Sequence, residues 1–235
     1  MSDDWTRRGF LGAAAVAAGA AVRPALAKDA AEAAAAGGIK IVAVCCSPRK
    51  GKTTAAALTV CLDAAKGVDA KIQTELIELA GMAIPGQVAA GVPLAEGEKD
   101  DFPKLAAKLA DPKVRGIIIG TPVYFSNMTF LCKAFLDRCM AFRKKYDLAD
   151  RVGGVLAIGG ARNGGQELAI RSVQAALHCH DMVVVGAGRP TSRFGAAVWS
   201  KAGKTLADDK HGMAAAKDLG RRVAQVALRL SGAAG

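Results

Sequence analysis

The sequence contains six cysteines but no C-x-x-C pair. This absence argues against a zinc ribbon and against a compact iron–sulfur site, since both bind metal through closely spaced thiolates. Aromatic residues make up only 5% of the chain, and the 32 basic residues form no dense cluster interleaved with them. The net charge of +11 therefore indicates solvated basic faces, and we expect no nucleic acid as a partner.

The first 27 residues have the composition of a secretory leader. Arg7 and Arg8 precede an apolar segment over residues 9–22, which is too short to cross a bilayer, and residues 25–27 have the A-x-A form of a cleavage site. The Arg-Arg-x-Phe-Leu order resembles twin-arginine signal peptides. This resemblance implies export of the folded protein by the twin-arginine translocase and a periplasmic location. The alternatives are a chance arginine pair on an ordinary leader, or an uncleaved anchor.

The rest of the chain is predicted to be a short spacer followed by one domain. Residues 28–38 are rich in Ala and Gly and predict a loose spacer, and residues 39–231 are apolar enough to bury a core. Several cysteines lie in apolar runs, where this residue usually behaves as a small hydrophobe. We therefore expect mostly reduced, buried thiols, and the cysteines in such runs are Cys45, Cys61, Cys132 and Cys179.

Strand-like apolar runs alternate with helical patterns throughout this domain. The predicted strands cover residues 39–44, 71–79, 115–120, 153–158 and 182–185. The predicted helices cover residues 53–66, 101–110, 129–146, 166–180 and 208–230, with a long loop over 81–97 and an irregular connection over 186–206. Apolar strands that alternate with helices are typical of a parallel sheet covered on both faces. We predict a flavodoxin-like three-layer α/β sandwich, with a five-stranded parallel sheet of order 2-1-3-4-5.

Ligands of such sheets bind beyond the carboxyl ends of the strands, where three loops of unusual composition are expected to meet. The first loop, residues 47–54, joins a buried strand to a helix N-terminus, which attracts anions, and it carries the basic residues Arg49, Lys50 and Lys52. The second, residues 121–128, offers an aromatic wall, and the third, residues 159–167, is rich in glycine. Together they predict a site for a phosphorylated heterocycle.

The sequence resembles the NADPH-dependent FMN reductase family in three motifs. They are S-P-R-K-G at 47–51, P-V-Y-F at 122–125 followed by K-A-F-L-D-R at 133–138, and G-A-R-N-G-G-Q-E at 160–167. The resemblance covers nearly all of residues 39–230 and is strongest to the iron–sulfur flavoprotein branch. It implies that the FMN phosphate is held by Ser47, Arg49, Thr53 and Thr54, with Lys50 and Lys52 close by. It implies that the ring is lined by Pro122, Val123, Tyr124 and Phe125, with Asn127 nearby. It implies that the ring edge contacts Gly160, Arg162, Asn163, Gly164, Gly165 and Gln166.

The family resemblance further implies an FMN-dependent NAD(P)H oxidoreductase that passes hydride or electrons to a quinone, a flavin or another small acceptor. It also implies a homodimer or homotetramer. We assign no catalytic side chain, because the chemistry of such proteins belongs to flavin N5. Two departures stand out: Lys52-Thr53-Thr54 replaces the usual Gly-Asn-Thr, and residues 81–97 lack the clustered cysteines of the iron–sulfur branch. We therefore predict no iron–sulfur cluster and no other metal site.

Two other classes of protein fit parts of the pattern. Residues 51–54, G-K-T-T, look like the end of a P-loop, but the first glycine of that motif would fall at Cys46, and no strand ends in an acidic residue suited to Mg²⁺. A flavin-bound electron carrier or a partner-binding protein of the same fold is the other alternative, because fold alone does not decide function. If the protein is exported, a redox partner could replace NAD(P)H as its donor.

Overall fold

The computed structural model describes residues 38–203 and 205–232. The predicted leader at 1–27 and the spacer from 28 to 37 lie outside the described residues. The strands are β1 (Ile39–Cys45), β2 (Ile72–Glu78), β3 (Val114–Pro122), β4 (Val152–Gly159), β5 (Val183–Val184) and β6 (Ala196–Trp199). The helices are α1 (Thr53–Lys66), α2 (Phe102–Ala110), α3 (Phe130–Arg138), α4 (Gln166–His178) and α5 (Lys210–Leu230). Short 3₁₀ turns cover Gly86–Ala90, Cys139–Phe142 and Leu206–Asp208.

The sheet confirms the predicted order and is parallel throughout. Its strands follow the order β2-β1-β3-β4-β5, and β6 also pairs with β4. Every residue of β3 and β4 is buried, which explains why these strands are apolar runs without alternation. The carboxyl ends of β1, β3 and β4 therefore lie side by side at one edge of the sheet.

Helices cover both faces of the sheet and make it the middle of three layers. Alternate side chains of a strand point to opposite faces, so Ile41 and Ala43 of β1 pack toward α1 and α5, with Leu58 and Leu219. Val42 and Val44 face the other way and join a core with α2, α3 and α4. No helix in the part that the structure describes combines the length and apolarity that a bilayer crossing requires.

The helix predicted over residues 129–146 is wrong in length, because α3 ends at Arg138 and a 3₁₀ turn follows. The Arg138 guanidinium donates to both carboxylate oxygens of Asp100, at 3.0 and 2.7 Å, and to the carbonyl of Pro85. The tighter 3₁₀ turn then places the Phe142 ring 6.1 Å from that of Phe102. Tertiary contacts therefore end this helix, although its sequence pattern continues.

The fifth strand is split into two segments on the same side of β4. Only Val183–Val184 of the predicted strand pairs, with the start of β4, and Ala196–Trp199 pairs with its end. The prediction of an irregular connection over residues 186–206 is therefore wrong for β6. Between the segments the chain leaves the sheet and returns, closed by a 2.9 Å hydrogen bond from Ala187 N–H to the Arg193 carbonyl.

All six cysteines lie in the described part of the chain, and none of them forms a disulfide. Five are buried as expected, but Cys179 is exposed, so the expectation for that residue is wrong. Its place at the C-terminal end of α4 explains the exposure, because the chain turns away from the core there. Gly38 was predicted to belong to the spacer but is buried, and a Cβ on it would lie 2.2 Å from the Lys71 carbonyl oxygen.

Candidate functional site

The first loop leaves β1 and enters α1 through a turn held by its own side chains. Ser47 is buried, and its hydroxyl accepts a 3.1 Å hydrogen bond from Arg49 N–H. Gly51 has φ +63°, in the left-handed region that favours glycine, and its N–H donates to Glu78 at 2.7 Å. Glu78 ends β2, next to the last residue of β1, so the neighbouring strand fixes the outer side of this loop.

The N-terminus of α1 is open and surrounded by basic residues. No side chain caps it at Lys52, and its first turn contains no acidic residue. The first N–H groups of a helix have no partner within the helix and carry partial positive charge, which attracts anions. Arg49, Lys50 and Lys52 are exposed around this helix end, while Thr54 is buried within it. The geometry therefore suits a phosphate group.

The second loop forms a tight turn that projects aromatic side chains. Tyr124 and Asn127 exchange backbone hydrogen bonds of 2.9 and 3.0 Å, and the two residues between them have positive φ, +49° at Phe125 and +61° at Ser126. Backbone strain of this kind in residues other than glycine is concentrated at binding and active sites. Phe125 is fully exposed and Tyr124 is partly exposed, whereas Pro122 at the base of the loop is buried. This turn presents an apolar ring surface to solvent.

Two buried threonines, neither of them predicted as a site residue, link the first loop to the second. The Thr129 hydroxyl donates to the Cys46 carbonyl at 2.8 Å and accepts from Cys132 N–H at 3.1 Å, so it also caps α3. The Thr121 hydroxyl accepts from Thr129 N–H at 3.1 Å. A threonine directly before an apolar helix is a capping signal that the sequence did contain. These hydrogen bonds fix the position of the first loop relative to the second.

The backbone of the third loop is held by hydrogen bonds to the Gln166 side chain. This side chain is buried, and its amide nitrogen donates to the carbonyls of Ala161 and Val198 at 2.6 and 3.2 Å. Its amide oxygen accepts from Gly164 N–H at 2.7 Å. Gln166 therefore uses both ends of its amide within the protein. Gly160, Ala161, Arg162 and Asn163 are exposed at the surface of this loop, as is Glu167.

Arg162 is tied to the start of α5, which restrains it. Its guanidinium donates to the Asp209 carboxylate at 3.0 Å and lies 5.8 Å from the centre of the Trp199 ring. Asp209 is fully buried and also accepts from Trp199 N–H at 2.8 Å and Gly212 N–H at 3.1 Å. Arg162 was predicted from the sequence, but Asp209 and Trp199 were not, because β6 brings Trp199 to the loop and the start of α5 brings Asp209.

The second and third loops touch at one glycine. A Cβ on Gly165 would lie 2.6 Å from the Ser126 Cα, and Gly165 has φ +90°. All three loops predicted from the sequence therefore meet at one edge of the sheet: a hydrogen bond between the flanking residues Thr129 and Cys46 links the first two, and the last two are in contact. The cradle for a phosphate and the surface for a ring are parts of one continuous site.

These features define a flavodoxin-like α/β protein with an anion-binding corner beside an exposed aromatic turn. A family model described as NADPH-dependent FMN reductase matches residues 39–196. The chain belongs to this family of FMN-binding flavoprotein oxidoreductases. Its residue at position 46, where a P-loop would need glycine, is a buried cysteine.

Relatives of known name support the same grouping. An iron-sulfur flavoprotein of Methanocaldococcus jannaschii is 32% identical over 191 residues, which is 80% of this chain and 97% of that protein. An iron-sulfur flavoprotein of Methanosarcina thermophila is 30% identical over 192 residues, 80% of this chain and 95% of that protein. The solved structure of a flavodoxin, WrbA-like protein from Agrobacterium tumefaciens shares the fold, with a TM-score of 0.58 and 18% identity over 81% of this chain and 98% of that chain.

Because two of the relatives named above are iron-sulfur flavoproteins, it matters whether the described residues of this chain could hold a metal. Within residues 38–203 and 205–232, no group of three or more His, Cys, Asp or Glu side chains is arranged to hold a metal ion. The loop over residues 81–97 also has no cysteine in its sequence. The lack of a cluster stays a prediction that metal analysis can test.

Proposed function

We propose that the protein is an exported, FMN-dependent NAD(P)H oxidoreductase that reduces a small acceptor such as a quinone. The observation that carries this proposal is the uncapped N-terminus of α1, which has basic side chains around it and the exposed aromatic turn beside it. In the overall reaction a nicotinamide hydride and one proton from solvent reduce the quinone to a hydroquinone, so electrons and protons balance. A redox partner could deliver the electrons instead of NAD(P)H if the protein works outside the cytoplasm.

The cradle fits the phosphate of FMN by charge and by available donors. The N–H groups at the start of α1 and the hydroxyls of Thr53 and Thr54 are suitable donors, and Arg49, Lys50 and Lys52 supply positive charge. Ser47 helps differently, because its hydroxyl is bonded to the backbone at residue 49 and fixes the loop. Glu78 opposes an anion electrostatically, but its carboxylate already accepts Gly51 N–H at the side of the loop.

The second and third loops fit the ring and its polar edge. Tyr124 and Phe125 offer apolar area, and the exposed backbone around Gly160 and Asn163 offers hydrogen-bonding groups for the ring edge. When bound, FMN would supply hydride and electron transfer, which no side chain here can perform alone. The role of the protein is to bind the phosphate, orient the ring and shape access to it.

Export and assembly are part of the proposal; export is supported by the sequence, and assembly by exposed apolar side chains. The paired arginines and the A-x-A site support a twin-arginine leader, transport of the folded protein by its translocase, and a periplasmic location. Exposed apolar side chains beside the site, at Phe125, Phe130 and Leu168, support a homodimer or homotetramer, because large exposed apolar groups often mark interfaces.

The proposal is tested by titrating the purified protein, freed of flavin, with FMN. We expect binding with flavin absorption bands, and no iron in metal analysis. Arg49→Ala should weaken FMN binding by roughly five- to tenfold, since one exposed charge-assisted hydrogen bond is lost. Lys66→Ala is the matched control: it removes the same charge from the other end of α1, about 20 Å away, and should leave affinity unchanged.

Three results would contradict the proposal at different levels. A protein that takes up no FMN would remove its basis, and equal effects of the two substitutions would show that the cradle is misassigned. A protein that binds FMN but never oxidises NADH or NADPH with quinones would exclude a nicotinamide-dependent enzyme. That last outcome would favour a flavin-bound electron carrier.

A further inference from the structure

Glu78 lies beside the phosphate cradle but belongs to none of the three loops predicted from the sequence. It is the last residue of β2 and pairs in register with Cys45, the last residue of β1. The next backbone group along the chain, Leu79 N–H, donates to the Cys45 carbonyl at 3.0 Å. Glu78 is therefore fixed at the carboxyl edge of the sheet, where the first loop leaves β1.

The Glu78 carboxylate contacts the first loop at one backbone donor. Its Oε2 atom accepts the 2.7 Å hydrogen bond from Gly51 N–H, which is 27 residues away in the chain. Gly51 directly precedes Lys52, the N-cap of α1, so this bond fixes the loop where it enters the helix. Gly51 also has φ +63°, so the bond holds the loop in a conformation that favours glycine.

No described side chain neutralises the charge of Glu78. Its carboxylate forms no ion pair within the part of the chain that the structure describes. Burial raises the pKa of the Cys45 thiol to about 11, and the charge of Glu78 adds to this rise, so the carboxylate acts on groups beyond its own strand. A full negative charge is therefore built into one side of a cradle whose other charged residues are basic.

This charge lies close to the groups that would bind a phosphate. The N–H groups of α1 without a partner inside the helix belong to residues 52–55, and they begin one residue after the N–H that Glu78 holds. Two unit charges about 6 Å apart in water repel each other enough to weaken binding roughly threefold, and by more where solvent is excluded. Glu78 therefore opposes any anion at the start of α1.

We propose that Glu78 is a specificity-determining residue of the cradle: it positions Gly51 through its carboxylate oxygen, and its charge limits the preference for a phosphorylated flavin. This inference rests on the proposed function, because it concerns the phosphate of FMN at the same site. The two roles have opposite effects on affinity. The hydrogen bond keeps the first loop in place for phosphate, and the negative charge weakens phosphate binding.

Two substitutions separate these roles, and FMN and riboflavin are the probes. Glu78→Gln keeps an acceptor oxygen for Gly51 N–H but removes the charge, so it should lower the dissociation constant of FMN roughly three- to tenfold. It should leave the dissociation constant of riboflavin, which has no phosphate, unchanged. Glu78→Asp keeps the charge but is one methylene too short to reach Gly51 N–H, so it should weaken FMN binding roughly threefold or more.

The measurement is a titration of the flavin-free full chain, with thermal unfolding to show that each variant is folded. Asp63→Asn is the matched control, because it removes an exposed carboxylate of α1 about 15 Å from the start of the helix, and both dissociation constants should stay the same. Raising the salt concentration should shrink the gain in Glu78→Gln, because mobile ions screen the repulsion between exposed charges. A rearranged loop would not produce this dependence on salt.

Three outcomes would overturn the inference while the proposed function stands, since FMN still binds the unmodified protein more tightly than riboflavin. The first is a Glu78→Gln variant whose preference for FMN over riboflavin is unchanged or smaller. The second is an equal gain in Asp63→Asn, which would show a general effect of net charge. The third is a Glu78→Asp variant with unchanged FMN affinity, which would show that the bond to Gly51 does not position the loop.

A different result would refute the cradle itself. If the unmodified protein bound neither flavin, or bound FMN no more tightly than riboflavin, the start of α1 would not hold the phosphate. The proposed phosphate site would then be wrong, and the role of Glu78 with it.

Discussion

The contact between Gly165 and Ser126 makes a sharp prediction, because a single methyl group there would separate two loops of the site. A Cβ at Gly165 would lie 2.6 Å from the Ser126 Cα and 2.7 Å from its hydroxyl oxygen. The first of these is a backbone atom, so a rotamer change cannot relieve the overlap. Gly165→Ala must therefore move the aromatic loop away from the glycine loop.

The size of the effect follows from two separate costs. Gly165 has φ +90°, and placing alanine in a left-handed conformation costs roughly 1–2 kcal/mol. Displacing the second loop adds a further contribution, for a total of about 2–3 kcal/mol. For a chain of this size that lowers Tm by roughly 5–10 °C. We also expect weaker FMN binding, since the surfaces proposed for the ring no longer align.

The assay is thermal unfolding of the flavin-free protein, followed by FMN titration, with two control variants. Gly91→Ala has φ +79° and no atom within 4 Å of the added Cβ, so it carries only the conformational cost. Gly160→Ala lies in the same loop as Gly165, has no positive φ and meets no atom within 4 Å, so its unfolding temperature should not change. If Gly165→Ala unfolded at the same temperature as Gly91→Ala, the contact with Ser126 would have no energetic weight and our reasoning would be refuted.

Two further predictions concern a nearly buried ion pair and the cysteines. Arg138→Met should destabilise the fold by about 3–5 kcal/mol, measured by urea unfolding, because it leaves the nearly buried Asp100 carboxylate unpaired. Arg138 lowers the pKa of Asp100 in the folded protein, so the stability from this pair is complete above the unfolded pKa of Asp100 and is lost as pH falls through the lowered pKa. If the difference in unfolding free energy between the unmodified protein and the variant stayed constant in acid, this reasoning would be contradicted. For the thiols, iodoacetamide at pH 8 should label Cys179 alone in the folded protein, because burial raises the pKa of Cys45 to about 11 and that of Cys61 to about 12. Mass spectrometry would show this, and rapid labelling of either buried thiol without unfolding would disprove it.

The sequence by itself determined the sheet and the three loops of the site. The strands in the centre of the sheet are buried on both faces, so they must be continuous apolar runs, and their alternation with helices requires parallel connections. Because parallel strands all end at the same edge, the loops after β1, β3 and β4 had to lie together whatever the packing details. The motifs at 47–51, 122–125 and 160–167 therefore indicated one site.

Only the tertiary structure decided which side chains of those loops remain available to contact a ligand. Gln166 was predicted to contact the ring edge, yet its amide forms hydrogen bonds within the loop. Arg162 is restrained by Asp209, which is 47 residues away in the chain. Local pattern could not show the split fifth strand, because whether residues 196–199 pair depends on the free edge of β4. Side-chain partners that are distant in sequence are set by packing, so the contacts of Arg162 with Asp209 and Trp199 could be seen only in the folded chain.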